Sequence, residues 1–202
     1  MHLFSLEHSR SAYRADFAVY GTASLALATL LAIEVPREQR LEAAAIVLLG
    51  LASWTLVEYA LHRFVLHGLP PFKAWHAEHH RRPAALICTP TILSAALIVA
   101  LVFLPALAVG NLWQACALTL GLLNGYLAYA VTHHATHHWR TDIAWLRRRK
   151  RWHAMHHHLA AQYGHYGVTS AFWDYVFGSA RPRIGPPPRN VAQRTVGKSP
   201  PG

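Results

Sequence analysis

Apolar residues fall into four long runs, each closed by a polar or turn-forming segment. The first covers residues 17–33, long enough to cross a hydrocarbon core of about 30 Å at about 1.5 Å per helical residue. A short polar stretch, 34–40, follows with Pro36 as its breaker. The second run starts near Ala43, stays apolar to about Trp54 and then turns mixed, with Glu58, Tyr59, His62, Arg63 and His67 set among Leu, Phe and Val. This change predicts one long helix that leaves the membrane before Gly68, Leu69, Pro70 and Pro71 end it. Ionisable groups at membrane depth are costly and mark a protein-lined site. A short helix is predicted over 72–82, then an irregular link between Pro83 and Pro90. The third run, 91–109, carries Pro105 as a kink, and Gly110 and Asn111 make a tight turn. The fourth runs from Leu112 to about Thr132 and continues as helix through His133 and His137. Residues 140–151 are strongly basic, 152–163 read as a further helix, and 166–178 are aromatic and punctuated by glycine.

These runs divide the chain into a polar segment 1–16, a membrane-embedded domain 17–180 and a Pro- and Arg-rich tail 181–202, for which the composition predicts disorder. The first segment lacks the short apolar core and small-residue cleavage site of a signal peptide. The 202 residues suit one domain, and only 14% are charged against a usual figure of roughly 25%. The formal charge of +10 would suit nucleic acid in a soluble chain, but beside such spans its partner is the anionic headgroup surface of a bilayer. Cys88 and Cys116 have neither CxxC spacing nor further partners, which excludes a disulfide framework and a thiolate metal site. With four spans, the basic residues Arg10, Arg14, Lys73, Arg81, Arg82 and the 140–151 cluster lie on one side, the cytoplasmic one by the positive-inside rule. Arg37 and Arg40 lie opposite, offset by Glu34, Glu38 and Glu42. An Ala- and Arg-rich composition points to a bacterial inner membrane, or to the endoplasmic reticulum if the source is eukaryotic.

The chemistry lies in the 16 histidines. His153, His156 and His157 follow an i, i+3, i+4 spacing that stacks three imidazoles on one helix face, and His76, His79 and His80 repeat it. His133 and His137 are four apart, and His62 and His67 five. Five residues on an α-helix place two side chains about 140° apart, so one of that last pair is expected where the helix unwinds beside Gly68. A single histidine is ordinarily a core or surface residue. Four groups meeting at one membrane face are a metal site, since neutral imidazole is the commonest protein ligand. Ten imidazoles suit two metal ions, and an all-nitrogen set fits iron or zinc. His2 and His8 are assigned to a disordered N-terminus. His134, His138, His158 and His165 stand as neighbours of the site or alternative ligands.

These motifs resemble the membrane-bound fatty acid hydroxylase superfamily, and most closely its fatty acid 2-hydroxylases. Residues 58–67 resemble the first histidine box, 76–80 the second, 125–137 the third and 153–157 the fourth. Residues 166–178 resemble the segment that follows. The resemblance covers roughly residues 50–180. It implies an all-α integral membrane fold: four transmembrane helices under a cytosolic helical cap that holds a dinuclear histidine metal site. It implies His62, His67, His76, His79, His80, His133, His137, His153, His156 and His157 as ligands of two iron ions, with zinc as a possible substitute in purified protein. It further implies O2-dependent hydroxylation of an acyl chain that reaches the metals from the bilayer, at the carbon beside the carbonyl. Tyr129 favours the pair His133 and His137, while His134 and His138 share their spacing. The chain departs from the pattern at Ala130, where the 2-hydroxylases carry an acidic residue. It also shows no cytochrome b5 domain, so electrons are expected from a separate donor of cytochrome b5 or ferredoxin type.

Among other residues, Asp174 is a candidate to hold a ligand imidazole by its ring N–H or to cap a helix, and Tyr126 and Tyr129 to orient ligands or pack the core. Residues 147–151 suit a headgroup surface or an acidic redox partner. Trp75, Trp139, Trp145, Trp152 and Trp173 suit the membrane interface or a substrate path. Two rival functions share these features: a carotenoid or sterol hydroxylase or desaturase, and a metal-binding or transport protein without oxidation chemistry. A transporter would carry its ligands near the bilayer midplane, whereas these boxes fall at the ends of spans and beyond them.

Overall fold

The computed structural model describes residues 7–158 and 164–181; His2 and the predicted tail from residue 182 lie outside them. The described residues form eight α-helices. They are α1 (Arg10–Glu34), α2 (Arg40–Ala60), α3 (Phe72–Arg81), α4 (Thr91–Ile98), α5 (Leu104–Val109), α6 (Leu112–His138), α7 (Ala144–His158) and α8 (Phe172–Val176). A π-helical stretch, Leu61–Leu66, continues α2, and another, Val99–Phe103, joins α4 to α5. Four helical stretches are long and apolar enough to cross a membrane: Arg10–Glu34, Arg37–Leu66, Thr91–Val109 and Leu112–His138.

The first of these begins seven residues earlier than its apolar run. Ser9 caps it by accepting from the Ala12 N–H at 3.2 Å, and the polar turn 10–16 is already helical. Asp16 explains this. It is 7% exposed and accepts from Thr91 Oγ1 at 2.6 Å, so a carboxylate that reads as part of a polar leader is an inter-helix contact. His8 is likewise placed rather than disordered. Its N–H donates to the Leu86 carbonyl at 2.9 Å, beside the β-bridge between Glu7 and Ile87.

Helices α1 and α6 run antiparallel, joined by Ser24 Oγ donating to Asn124 Oδ1 at 2.9 Å and by the Tyr20 and Tyr126 rings 4.9 Å apart. Helices α2 and α6 pack backbone to backbone. A Cβ on Gly50 would lie 2.8 Å from the Leu118 carbonyl, one on Gly121 would strike the Val47 carbonyl, and one on Gly125 would strike Trp54. Between apolar helices in lipid, small residues give the close approach on which packing depends. At one end of the bundle, Leu31, Val35, Ala43, Cys116, Ala117 and Leu120 form the apolar core. At the other end, α2 and α6 finish and α1 and α4 start, and α3, α7 and α8 gather there.

The basic stretch and the fourth histidine group, expected as separate pieces, are one helix, α7. Its positive charges are not all on the surface. Arg149 is 6% exposed with its guanidinium over the Trp152 ring, and Lys150 donates to the Ala135, Thr136 and Trp139 carbonyls at the end of α6. A cation on the last carbonyls of a helix is favourable there. The surface expected of 147–151 therefore reduces to Arg147, Arg148 and Arg151.

Candidate metal centre

His62 and His67 do not need the unwinding that the α-helical repeat demands. The chain widens into a π turn, and the His67 N–H donates to the His62 carbonyl at 3.2 Å. That i to i+5 pairing sets residue i+5 above residue i, and the two rings lie 5.3 Å apart. The other three groups follow ordinary helical spacing on α3, α6 and α7.

The ring nitrogens converge in two groups. His62, His67, His76, His80 and His156 form one, and His79, His133, His137 and His153 the other, with ligand atoms in each group within 4.8 Å of one another. His157 adjoins the second, its Nε2 3.1 Å from that of His153. Within the first group, Nε2 atoms approach at 2.9 Å (His62 and His76), 3.0 Å (His76 and His80) and 3.1 Å (His67 and His156). Within the second they approach at 3.1 Å (His79 and His133) and 2.8 Å (His137 and His153). Donors at right angles about a metal, each about 2.1 Å from it, are about 3.0 Å apart, against about 3.4 Å for a tetrahedron. The closest approaches are thus those of imidazoles near enough to share one metal ion.

Proton positions agree. The Nδ1 atoms of His62 and His156 lie 2.5 Å and 2.8 Å from the carbonyl oxygens of Tyr166 and Gly164. A carbonyl only accepts, so Nδ1 carries the proton and Nε2 presents its lone pair to the cluster. Burial, then neighbouring imidazoles, hold the rings neutral. His67 is lowered to about 4, His79 to about 3 and His157 to about 2. His76, His153 and His156 lie well below the usual imidazole value for the same reasons. Buried lone pairs facing one another need a cation between them, so the donor set fits two metal ions.

The loop 164–169 that supplies the carbonyls is fixed by two buried carboxylates. Asp174, 0% exposed, accepts from the Tyr166 and Gly167 N–H groups (both 2.8 Å), Ser179 Oγ (2.7 Å) and Trp152 Nε1 (3.3 Å). Glu58, 3% exposed, accepts from the Val168 and Thr169 N–H groups at 2.5 Å and 2.9 Å and from Thr169 Oγ1. Asp174 thus touches no histidine ring by hydrogen bond. It holds the backbone that holds His62 and His156, a role between the two offered for it, a direct hold on an imidazole and a helix cap. The sequence marks Glu58 by its depth, but the carbonyls of Gly164 and Tyr166 have no side-chain signature.

The remaining candidates fall outside the two groups. His134 lies 3.3 Å from the Tyr13 hydroxyl and stacks on His138, which leaves the pair His133 and His137 as the one turned inward. His158 is exposed. His165 is 3% exposed against Trp152, and takes a φ of 60° that is uncommon outside glycine. Tyr129 stacks on His133 with ring centroids 5.6 Å apart. Tyr126 packs edge-on to Tyr20 and Trp54. Trp139 and Trp145 are exposed, whereas Trp152 and Trp173 are tied down by hydrogen bonds to Asp174 and Thr55.

A cavity of about 260 Å³ opens from the histidines into the bundle. His62 and His76 of the first group and His79 and His133 of the second line it, and its walls are mostly apolar, with Phe17, Trp54, Leu97 and Ile98 among them. Ala130, Tyr126, Tyr129 and Trp75 line it too.

Comparison with known proteins agrees with this arrangement. The family model described as fatty acid hydroxylase matches residues 47–179. The chain is 34% identical over 145 residues to the dihydroceramide fatty acyl 2-hydroxylase FAH2 of Arabidopsis thaliana, covering 66% of this chain and 60% of that one. It is 36% identical over 149 residues to the ceramide very long chain fatty acid hydroxylase scs7 of Schizosaccharomyces pombe, covering 67% and 42%. It is 30% identical over 155 residues to the fatty acid 2-hydroxylase of Rattus norvegicus, covering 69% and 40%. The chain thus spans between 40% and 60% of the length of these three relatives. A solved structure of full-length Scs7p, in which only the hydroxylase domain is visible, superposes with a TM-score of 0.71 at 27% identity, covering 83% of this chain and 66% of that one. With four helices of membrane-crossing length, two histidine clusters at one end and a family match across most of the fold, this multi-pass membrane protein belongs to the fatty acid hydroxylase family.

Proposed function

We propose that the protein is a membrane lipid hydroxylase that uses O2 to hydroxylate a fatty acyl chain, at the carbon beside the carbonyl, free or within a sphingolipid or other lipid. The observation that carries this is the junction of two imidazole clusters with an apolar cavity in a chain of this family. In this reading His62, His67, His76, His80 and His156 hold one metal ion, and His79, His133, His137, His153 and His157 the other. Two iron ions, when bound, would supply the oxidising centre at which one oxygen atom of O2 enters the C–H bond and the other leaves as water, with two electrons from a separate reductant and two protons from solvent.

The residues of the chain do the rest. The apolar walls bind the acyl chain and exclude water, and the position of His62, His76, His79 and His133 on the wall sets which carbon approaches the metals. The carbonyls of Tyr166 and Gly164 hold the Nδ1 protons of His62 and His156, which keeps both rings in the ligand tautomer. The positive-inside rule supports a cytoplasmic site, within reach of a soluble or membrane-tethered electron donor. A transport reading fares worse, because the clusters lie where α2 and α6 end rather than midway along them.

The test is mass spectrometry of hydrolysed lipids from cells expressing the chain with a competent reductase, beside a His156→Ala, His157→Ala control. New 2-hydroxy fatty acids that vanish in the control are expected. An unchanged acyl profile from folded, metal-loaded protein would refute 2-hydroxylation and direct attention to carotenoids and sterols.

A further inference from the structure

Asp16 is the one carboxylate on the cavity wall that the fold leaves half-engaged. The cavity has two, Glu58 and Asp16. Glu58 is occupied at both oxygens by Val168 and Thr169. Asp16 is 7% exposed and takes one hydrogen bond, from Thr91 Oγ1 to Oδ1 at 2.6 Å. Its Oδ2 has no hydrogen-bond partner, and no salt bridge reaches it, among the described residues, although the imidazole of His8 acts on it at longer range. The nearby hydroxyls are directed elsewhere. Tyr20 donates to the Thr91 carbonyl or pairs with Ser94, and Ser94 donates to the Pro90 and Thr91 carbonyls. A carboxylate in an apolar span is costly unless it is paired, and one kept there marks a site that binds something.

Its height identifies what. Phe17 packs against His134 with centroids 6.2 Å apart, and Tyr20 against Tyr126 at 4.9 Å. On antiparallel helices these contacts set Asp16 level with residues 130–134 of α6, within one turn, or about 5 Å along the axis, of His133. His133 and Asp16 line the same cavity, from α6 and α1. An acyl lipid whose reacting carbon lies at the histidines therefore has its carbonyl end beside Asp16, and its tail descends past Trp54, Leu97 and Ile98.

On the reading that the cavity binds an acyl lipid, we infer that Asp16 is a specificity-determining residue: its free oxygen accepts a hydrogen bond from an N–H or O–H on the polar end of the lipid. The same oxygen repels a free fatty acid, whose own carboxylate would face it in a medium of low dielectric. An ester without a donor is neither held nor repelled.

The test is displacement of a fluorescent acyl probe from the metal-loaded full chain in detergent micelles by three ligands sharing one chain: N-palmitoylethanolamine, methyl palmitate and palmitate. The wild type is expected to bind the ethanolamide about tenfold tighter than the ester, a factor equal to about 1.4 kcal/mol, and palmitate more weakly than either. Asp16→Asn keeps the acceptor for Thr91 but removes the charge. It should raise palmitate to the level of the ester and remove the ethanolamide preference, because an NH2 group then faces the lipid where the accepting oxygen stood. Asp16→Leu should abolish the ranking. A purely structural role for the Asp16–Thr91 contact predicts the wild-type ranking in Asp16→Asn, and that result overturns the inference. So does a wild type that binds all three alike or none of them. Because binding is read without turnover, a chain that ranks the ligands but makes no hydroxylated lipid refutes the proposed reaction and leaves the role of Asp16 intact.

Discussion

Replacing Asp174 by asparagine tests how the metal centre is held. The side chain is fully buried, and each of its oxygens serves two donors: Oδ1 takes Tyr166 N–H and Ser179 Oγ, Oδ2 takes Gly167 N–H and Trp152 Nε1. An amide has nearly the same shape but only one acceptor. Whichever way it is turned, its NH2 group faces two donors, and of the four only the Ser179 hydroxyl has another partner, Tyr59. Losing hydrogen bonds to a charged acceptor and stranding buried donors costs about 1–3 kcal/mol each, so about 3–5 kcal/mol in all. The loop 164–167 is then free to shift, and with it the carbonyls that orient His156 and His62. Partners of this kind contribute about 10- to 100-fold in metal affinity. The assays are chemical unfolding in detergent and metal content by mass spectrometry after dialysis against a graded chelator. Ser179→Ala, which removes one of the four donors and the Tyr59 contact, should show a milder loss of about 1 kcal/mol and keeps the test readable if Asp174→Asn does not fold. If Asp174→Asn retains two metal ions at the wild-type chelator midpoint, the loop does not position the histidines and the reasoning fails.

Other perturbations have equally definite outcomes. His133→Ala should lower bound metal from two ions to one, whereas His134→Ala should leave two; equal loss in both would reassign the third box. Gly121→Leu should prevent α2 and α6 from closing, because even a Cβ there strikes the Val47 carbonyl, and it should be read as lost monodisperse protein on size exclusion. Metal-free protein should weaken as pH falls from about 6.5 toward 4. His67, His79 and His157 titrate near 4, 3 and 2 in the fold and near 6.5 once unfolded, so over that window the unfolded chain takes up protons that the folded one does not. Stability is full above 6.5 and lost below; unfolding midpoints that do not move between pH 7.5 and 5 would contradict it. Metal should abolish most of this dependence down to the pH at which it dissociates.

Much of this was legible in the sequence, and the parts that were not have physical reasons. Four apolar runs are spans because of their length, and three of the four histidine groups follow helical spacing, so both could be counted directly. The spacing of His62 and His67 was visible but its solution was not, because an α-helical repeat offers only unwinding as the way to bring them together. Asp16 reads as part of a polar leader since nothing along the chain announces Thr91, 75 residues away. Lys150 and Arg149 read as surface charge, because a basic run does not reveal which of its members turn inward. The loop that fixes His62 and His156 works through backbone carbonyls, which every residue has, so only the fold selects Gly164 and Tyr166. Asp174 was flagged for a carboxylate's usual task, and the structure gives it that task at one remove.

The π turn at Leu61–Leu66 also constrains how the length of this chain can vary. A π turn is equivalent to one extra residue slipped into an α-helix, so the segments before and after it are out of phase by that residue. Deleting any single residue between His62 and His67 would restore a regular helix with a four-residue spacing, and the two rings would still stack. Everything beyond would keep nearly its present direction, because five residues of a π turn wind and rise about as far as four of an α-helix, so Gly68 and the approach to α3 would hold their course while Gly50 and Trp54 stayed packed on α6. The link 83–90 is held where Leu86 and Ile87 meet His8 and Glu7, whereas the stretch from Glu58 to His67 has one residue to spare. Deletion libraries should find a four-residue spacing of His62 and His67 tolerated, and insertion libraries should find a six-residue spacing intolerant, since no regular turn brings residues six apart together.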